Sequence, residues 1–165
     1  MQLKDFFDYK NKLMEDLLTN PSIVSLINSD VPIDEAAKLA YTQVFPFEYV
    51  PETVQNGDTY ICFDVDIQSV SGKTFLTPVL YIWVFSHRSK LRLPEGGVRT
   101  DKICSEICEA INGSRYYGLG ELNLYSVKRF APMTDYQGKM MTFSAKEFNR
   151  QFNGAKPTPA NRKNP

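Results

Sequence analysis

The sequence is poor in the residues that most often carry catalysis: it has one histidine, three cysteines and no CxxC pair among 165 residues. An odd, sparse set of cysteines does not make the disulfide framework of a small secreted domain, so a reducing interior is the expected home. Net charge is missing too. Nineteen basic residues balance nineteen acidic ones, which argues against a surface built throughout for nucleic acid or an anionic membrane. The longest apolar run, residues 79–85, falls far short of the ~20 residues of a membrane span. The opening MQLKDFFDYK is acidic and lacks an apolar stretch, so it does not read as a secretory signal. No internal repeat is visible.

What is present is a core. Hydrophobic residues make up 42% and aromatics 13%, with eleven Phe and nine Tyr, which excludes global disorder. Leu3, Phe6, Phe7, Leu13, Met14, Leu17 and Leu18 recur at helical spacing and predict an amphipathic helix ending near Asn20-Pro21. A short helix is expected from Pro21, with Ile23, Leu26 and Ile27 on one face. Another is expected over 35–42, capped by Asp34. Phe45-Pro46-Phe47-Glu48-Tyr49-Val50-Pro51 is aromatic and carries two prolines, so it reads as extended and irregular.

From Thr59 to Ile67 the residues alternate, with Ile61, Phe63, Val65 and Ile67 inward and Tyr60, Cys62, Asp64 and Asp66 outward. A turn at Ser71-Gly72-Lys73 leads into a second strand over 74–86, and Pro78 within it implies a bulge or an edge position. His87 to Gly97 is a loop, basic first and glycine-rich last. Thr100 or Asp101 is expected to cap a helix whose apolar stripe is Ile103, Cys104, Ile107, Cys108 and Ile111, stopping at Asn112-Gly113. Residues 121–130 alternate again, with Leu122, Leu124 and Val127 as candidate inward residues. A turn at 135–138 precedes a last strand over 139–145. The expected fold is α+β: a mostly antiparallel sheet of about four strands with helices on one face. The expected divisions are an N-terminal helical segment (1–29), an α+β domain (30–150) and a flexible, Pro-rich basic tail (151–165).

Catalytic chemistry finds little support in the residues. Cys104 and Cys108 stand one helical turn apart and could offer two metal ligands, but they share a stripe with three isoleucines, where a thiol behaves as a small core residue. Asp64 and Asp66 project from one strand face, and with Glu52 or Asp58 and Lys73 they sketch a metal-dependent nuclease. The plainer reading is the solvated face of an antiparallel sheet. Ser86 adjoins His87, but no G-x-S-x-G elbow is present, and neighbours on a strand point apart. The glycines of Tyr117-Gly118-Leu119-Gly120 serve a turn rather than a phosphate cradle. No catalytic residue, metal or cofactor is expected. Surface for partners remains: Phe45, Phe47 and Tyr49 in the irregular segment, and Arg88, Lys90 and Arg92 in the basic loop.

Four stretches, FPFEYVPET (45–53), GGVRTDKICSEI (96–107), SRYYGLGELNL (114–124) and DYQGKMMTF (135–143), give a chain that resembles structural proteins of the neck and tail of tailed bacteriophages. Its element order is similar to that of the tail-terminator (tail-completion) proteins, and the likeness covers most of residues 30–150. The resemblance implies a virion protein, assembled in the host cytoplasm, without enzymatic activity. It would form a homo-oligomeric ring, a hexamer, that caps the tail tube, ends its polymerisation and joins it to the head. The implied partners are the tail tube protein and a connector or stopper protein, with a lumenal contact to DNA in transit and none to membrane. A head-tail connector or stopper component is the alternative within that resemblance.

Overall fold

A computed structural model describes residues 5–50, 57–71, 75–145 and 147–148. Gly72 and Lys73 of the expected turn and the expected tail over 151–165 lie outside the described residues, as do Leu3 and Glu52. The first helix, α1 (Asp5–Thr19), buries Tyr9, Leu13, Leu17 and Leu18. Tyr9, Leu13 and Leu17 are four apart and so form one stripe. Phe7 was expected on that stripe, yet it is 72% exposed. It stands two residues, about 200° of helical rotation, from Tyr9. The second helix, α2 (Pro21–Ile27), starts where Pro21 pre-sets the first turn, and the Asn20 side chain accepts from the N–H groups of Ser22 and Ile23. Ile23, Val24, Leu26 and Ile27 are buried.

Ile33–Leu39 is a 3-10 helix rather than the α-helix expected, and Asp34 does not cap it, because Pro32 occupies the cap position without a side-chain bond. Its buried residues, Ala36 and Leu39, are three apart, the spacing at which a 3-10 turn stacks side chains. The third helix, α3 (Arg99–Ile111), buries Ile103, Cys104, Ile107 and Ile111, as the stripe implied. Its cap is Val98, with no side-chain bond, so neither Thr100 nor Asp101 plays that part.

The strands are β1 (Val44–Phe45), β2 (Thr59–Ser71), β3 (Phe75–His87), β4 (Asn123–Phe130), β5 (Tyr136–Ser144) and β6 (Glu147–Phe148). The fold is α+β, but the sheet differs from the one expected. It is mixed, with the order β1-β2-β3-β5-β4, and β6 pairs with β3 off that path. β1 runs parallel to β2, whereas β2–β3, β3–β5, β4–β5 and β3–β6 are antiparallel. Two residues are too few to show an alternation, so neither β1 nor β6 had a sequence signature. The bulge implied by Pro78 is present: the β2–β3 register shifts between Ile67 and Ser69, opposite Pro78 and Thr77.

Both faces of the sheet are covered near its centre. The helices share one cluster with Ile61, Phe63 and Val65 of β2, Leu80, Ile82 and Val84 of β3, and Met141 and Phe143 of β5. On the opposite face Phe45, Tyr60, Cys62, Phe85 and Tyr136 make a second cluster, edged by Tyr49, Trp83, Phe130 and Met133. The outer face of β2 is therefore not simply solvated, since Tyr60 and Cys62 belong to that second core. At Gly138 on β5 an added Cβ would lie 1.9 Å from the Val84 carbonyl oxygen and 2.6 Å from Phe85 Cα. Gly138→Ala is expected to cost about 3 kcal/mol, because β3 and β5 must part to admit it. Urea unfolding of the variant tests this, and an unchanged midpoint would show that the two strands separate freely.

Candidate interaction surface

The aromatic segment after β1 is divided between core and surface. Phe45 is buried, stacked on Tyr49 at 4.1 Å between ring centroids and 15° between planes. Tyr60 carries the stack inward, 6.4 Å from Phe45 and 5.4 Å from Phe85. Burial raises the Tyr60 hydroxyl above its usual range, with Tyr136 and Asp58 adding to the effect. Two bonds hold the segment, one from α1 and one from β2. Lys10 Nζ donates to the Pro46 carbonyl at 2.9 Å, and Cys62 Sγ donates to that of Tyr49 at 3.7 Å.

Phe47, in contrast, is 43% exposed. Its ring lies 6.4 Å from that of Tyr41, and Tyr41 and Val50 are exposed as well. Tyr41 has φ of 59°, a left-handed conformation that costs a residue with a side chain about 1–2 kcal/mol. The Tyr41 N–H donates to the Val44 carbonyl at 2.8 Å, so the turn into β1 holds this ring outward. Of the three aromatics singled out in the sequence, Phe45 is core, Tyr49 half-buried and Phe47 surface. Tyr41 gave no sequence signal, because nothing in its neighbours marks an outward-held ring.

The basic loop is tied down. Arg88 pairs with Asp135 at 3.2 Å and Lys90 with Asp58 at 2.8 Å. Arg99 donates to the carbonyls of Lys90 and Leu26, each at 2.7 Å, which fixes the loop against α2. Arg92 is exposed and makes no ion pair among the described residues. The loop thus presents less free charge than its sequence implies.

The candidate chemistry is taken up by structural bonds. Asp64 pairs with Lys10 at 2.7 Å and accepts from the Val65 N–H at 2.8 Å, whereas Asp66 is exposed. Ser86 is buried and bonds Thr59 Oγ1 at 2.8 Å, and His87 Nδ1 bonds Ser89 at 2.7 Å. Gly118 and Gly120 have φ of 77° and 81°, as a turn requires. Among the described residues no group of His, Cys, Asp and Glu is arranged to hold a metal ion. Burial pushes the thiols of Cys62 and Cys104 up to about 12, which leaves each with a thiolate fraction of about one in ten thousand at pH 8.

A further surface escaped the sequence reading. Leu122 is buried, but Leu124 and Val127 are exposed, and Tyr125 is 76% exposed. β4 is the last strand of the sheet, and α3 packs over β3 and β5. Leu124 and Val127, three apart, share the helix-side face only because the β4–β5 register shifts between Leu124 and Ser126, and the expected burial fails because spacing does not say whether a helix reaches that far.

Two outcomes follow from this division. Phe45→Ala is expected to lose about 3–4 kcal/mol of stability, and Phe47→Ala less than about 0.5 kcal/mol; equal losses in thermal unfolding would place both rings in the core. Native protein at pH 8 is expected to give one fast-reacting thiol, half-buried Cys108, with Cys62 and Cys104 reacting only on unfolding. Three equally fast thiols in a colorimetric titration would contradict that burial.

Comparison with known proteins gives one family. The family model described as YomW matches residues 7–145, from within α1 to just past β5. No curated protein matches the chain.

Proposed function

The chain belongs to the YomW family, and from that membership, the family name being of a phage type, we propose that it is a structural protein of the phage neck or tail. In this reading it forms a hexameric ring on the last ring of the tail tube, ends polymerisation of the tube and joins it to the head. The observation that supports this is the Tyr41–Phe47–Val50 surface. It is exposed and apolar, and it stands on a segment anchored by Phe45 in the aromatic core. Rigid anchoring beneath exposed rings suits a permanent subunit contact, since little side-chain entropy is lost on docking. The partners are the tail tube protein and a connector or stopper protein. Arg92, which makes no ion pair among the described residues, faces the lumen and DNA in transit in this reading. The site of action is the virion, after assembly in the host cytoplasm.

Light scattering and negative-stain microscopy of the purified chain, alone and mixed with tail tubes, test the reading. Rings, and caps at one end of the tubes, are the expected outcome. A chain that leaves the tubes bare and instead binds isolated connector would move it to the head side of the joint. Binding to neither would remove the proposal.

A further inference from the structure

We infer that the cavity over Val79, on the sheet face opposite the helices, is the docking site of this chain's own proline segment, Pro157-Thr158-Pro159.

Leu80, Ile82 and Val84 of β3 face the helices, so Val79 points to the opposite side. It is 1% exposed, and among the described residues it is the one buried apolar side chain that belongs to neither core. It floors a cavity of about 180 Å³ walled by Gln68, Thr77, Tyr125, Thr142 and Ser144. A cavity of about 150 Å³ accepts a benzene ring, so a prolyl ring has room here. Tyr125, whose exposure no core accounts for, stands as one wall. Gln68 Nε2 donates to the Tyr81 hydroxyl at 3.3 Å, and the Tyr81 ring stacks on Trp83 at 5.9 Å between centroids. Half-buried rings therefore continue along β3 from the cavity. A hollow of this kind, part aromatic and part hydroxyl and amide, suits an extended proline segment. Such a segment has little conformational freedom to lose, and its carbonyls are left without internal bonds.

The chain brings that segment to the site. Past β5 it runs on beside β3: the Ala145 N–H donates to the Pro78 carbonyl at 3.1 Å, and Phe148 pairs with Phe75. Thr77 and Val79 lie roughly 7–13 Å along the strand from Phe75. Pro157 follows Phe148 by about nine residues, and a flexible chain of that length has an r.m.s. span of roughly 15–18 Å. A linker about as long as the gap it must cross gives an effective concentration of about millimolar or more. A site too weak to hold a free peptide at micromolar concentration is filled by a tethered one. Charge points the same way. Asp66, the register partner of Val79, is exposed and outside the ion pairs of the described residues. Residues 149–165 carry Arg150, Lys156, Arg162 and Lys163 and no acid. Lys156 directly precedes Pro157, so it meets Asp66 when Pro157 enters the cavity.

Cysteine pairs in the full chain, in a Cys108→Ser background, test the docking. Asp66→Cys with Lys156→Cys is expected to form an intramolecular disulfide under mild oxidation, at a rate independent of protein concentration. Adding Pro157→Ala and Pro159→Ala keeps the length of the segment and is expected to slow that reaction about tenfold. An unchanged rate would show that tethering alone brings the thiols together and would overturn the inference. Cross-linking between Asp66→Cys chains and Lys156→Cys chains in a mixture would overturn it in favour of a second copy's segment. In the chain with its native cysteines, the Val79 methyl resonances are expected to shift on the same two proline substitutions. Resonances that stay in place would also overturn the docking. Circular dichroism separates loss of docking from loss of fold.

Discussion

The structure depends on one strand being covered from both sides. β3 lies between β2 and β5 and sends alternate side chains into two separate cores. Leu80, Ile82 and Val84 meet the helices, and Phe85 meets the aromatic cluster of the other face. A strand buried on both faces reads as a nearly continuous apolar run, which is what residues 79–85 are. The pattern that falls short of a membrane span is thus the signature of the sheet's centre. The helices, the aromatic segment and the basic loop all take their positions from it. Gly138 shows how tightly: β5 approaches β3 where there is no room for a methyl group.

The second core explains why one aromatic segment serves two purposes. Small α+β domains commonly leave one sheet face to solvent, with polar residues alternating along each strand. Here Phe45 and Tyr49 fold back over that face and complete a cluster with Tyr60, Phe85 and Tyr136. The same short stretch then delivers Phe47 and Val50 to the surface. The chain bends at Pro46 and Phe47 between the two roles, and the Pro46 carbonyl is held by Lys10. An extended period of two would put residues 45, 47 and 49 on one face, so it is the bend at 46–47, not the period, that turns Phe47 outward.

Legibility in the sequence followed how much of a pattern each element could display. The long strands of the hairpin and the isoleucine–cysteine stripe of α3 repeat their period several times, and both were readable to within a few residues. Asn20 and Pro21 state the start of α2 through capping chemistry alone. β1 and β6, with two residues each, cannot repeat a period, so the mixed character of the sheet was invisible. The 3-10 helix at Ile33–Leu39 and the α-helix expected there share an amphipathic pattern, and only the spacing of Ala36 and Leu39 separates them. For the candidate surface the limit was different. Phe45, Phe47 and Tyr49 are chemically alike, and which of them is buried depends on a sheet face built from residues far along the chain.

The same limit accounts for β4. Leu124 and Val127 carry the inward signature of a core strand, yet α3 packs over the strands beside theirs. Apolar residues at an uncovered edge destabilise the soluble monomer relative to its aggregates, and the β2 side of this molecule shows the remedy in Lys10 and Asp64. β4 carries its own protection: its register with β5 shifts between Leu124 and Ser126, Asn112 Oδ1 accepts the Leu124 N–H at 2.8 Å, and Lys128 and Arg129 are exposed on it. Bulge and charge thus stand at β4 where no helix reaches, whereas on the β2 side a short parallel strand and a helix lysine cover part of the edge.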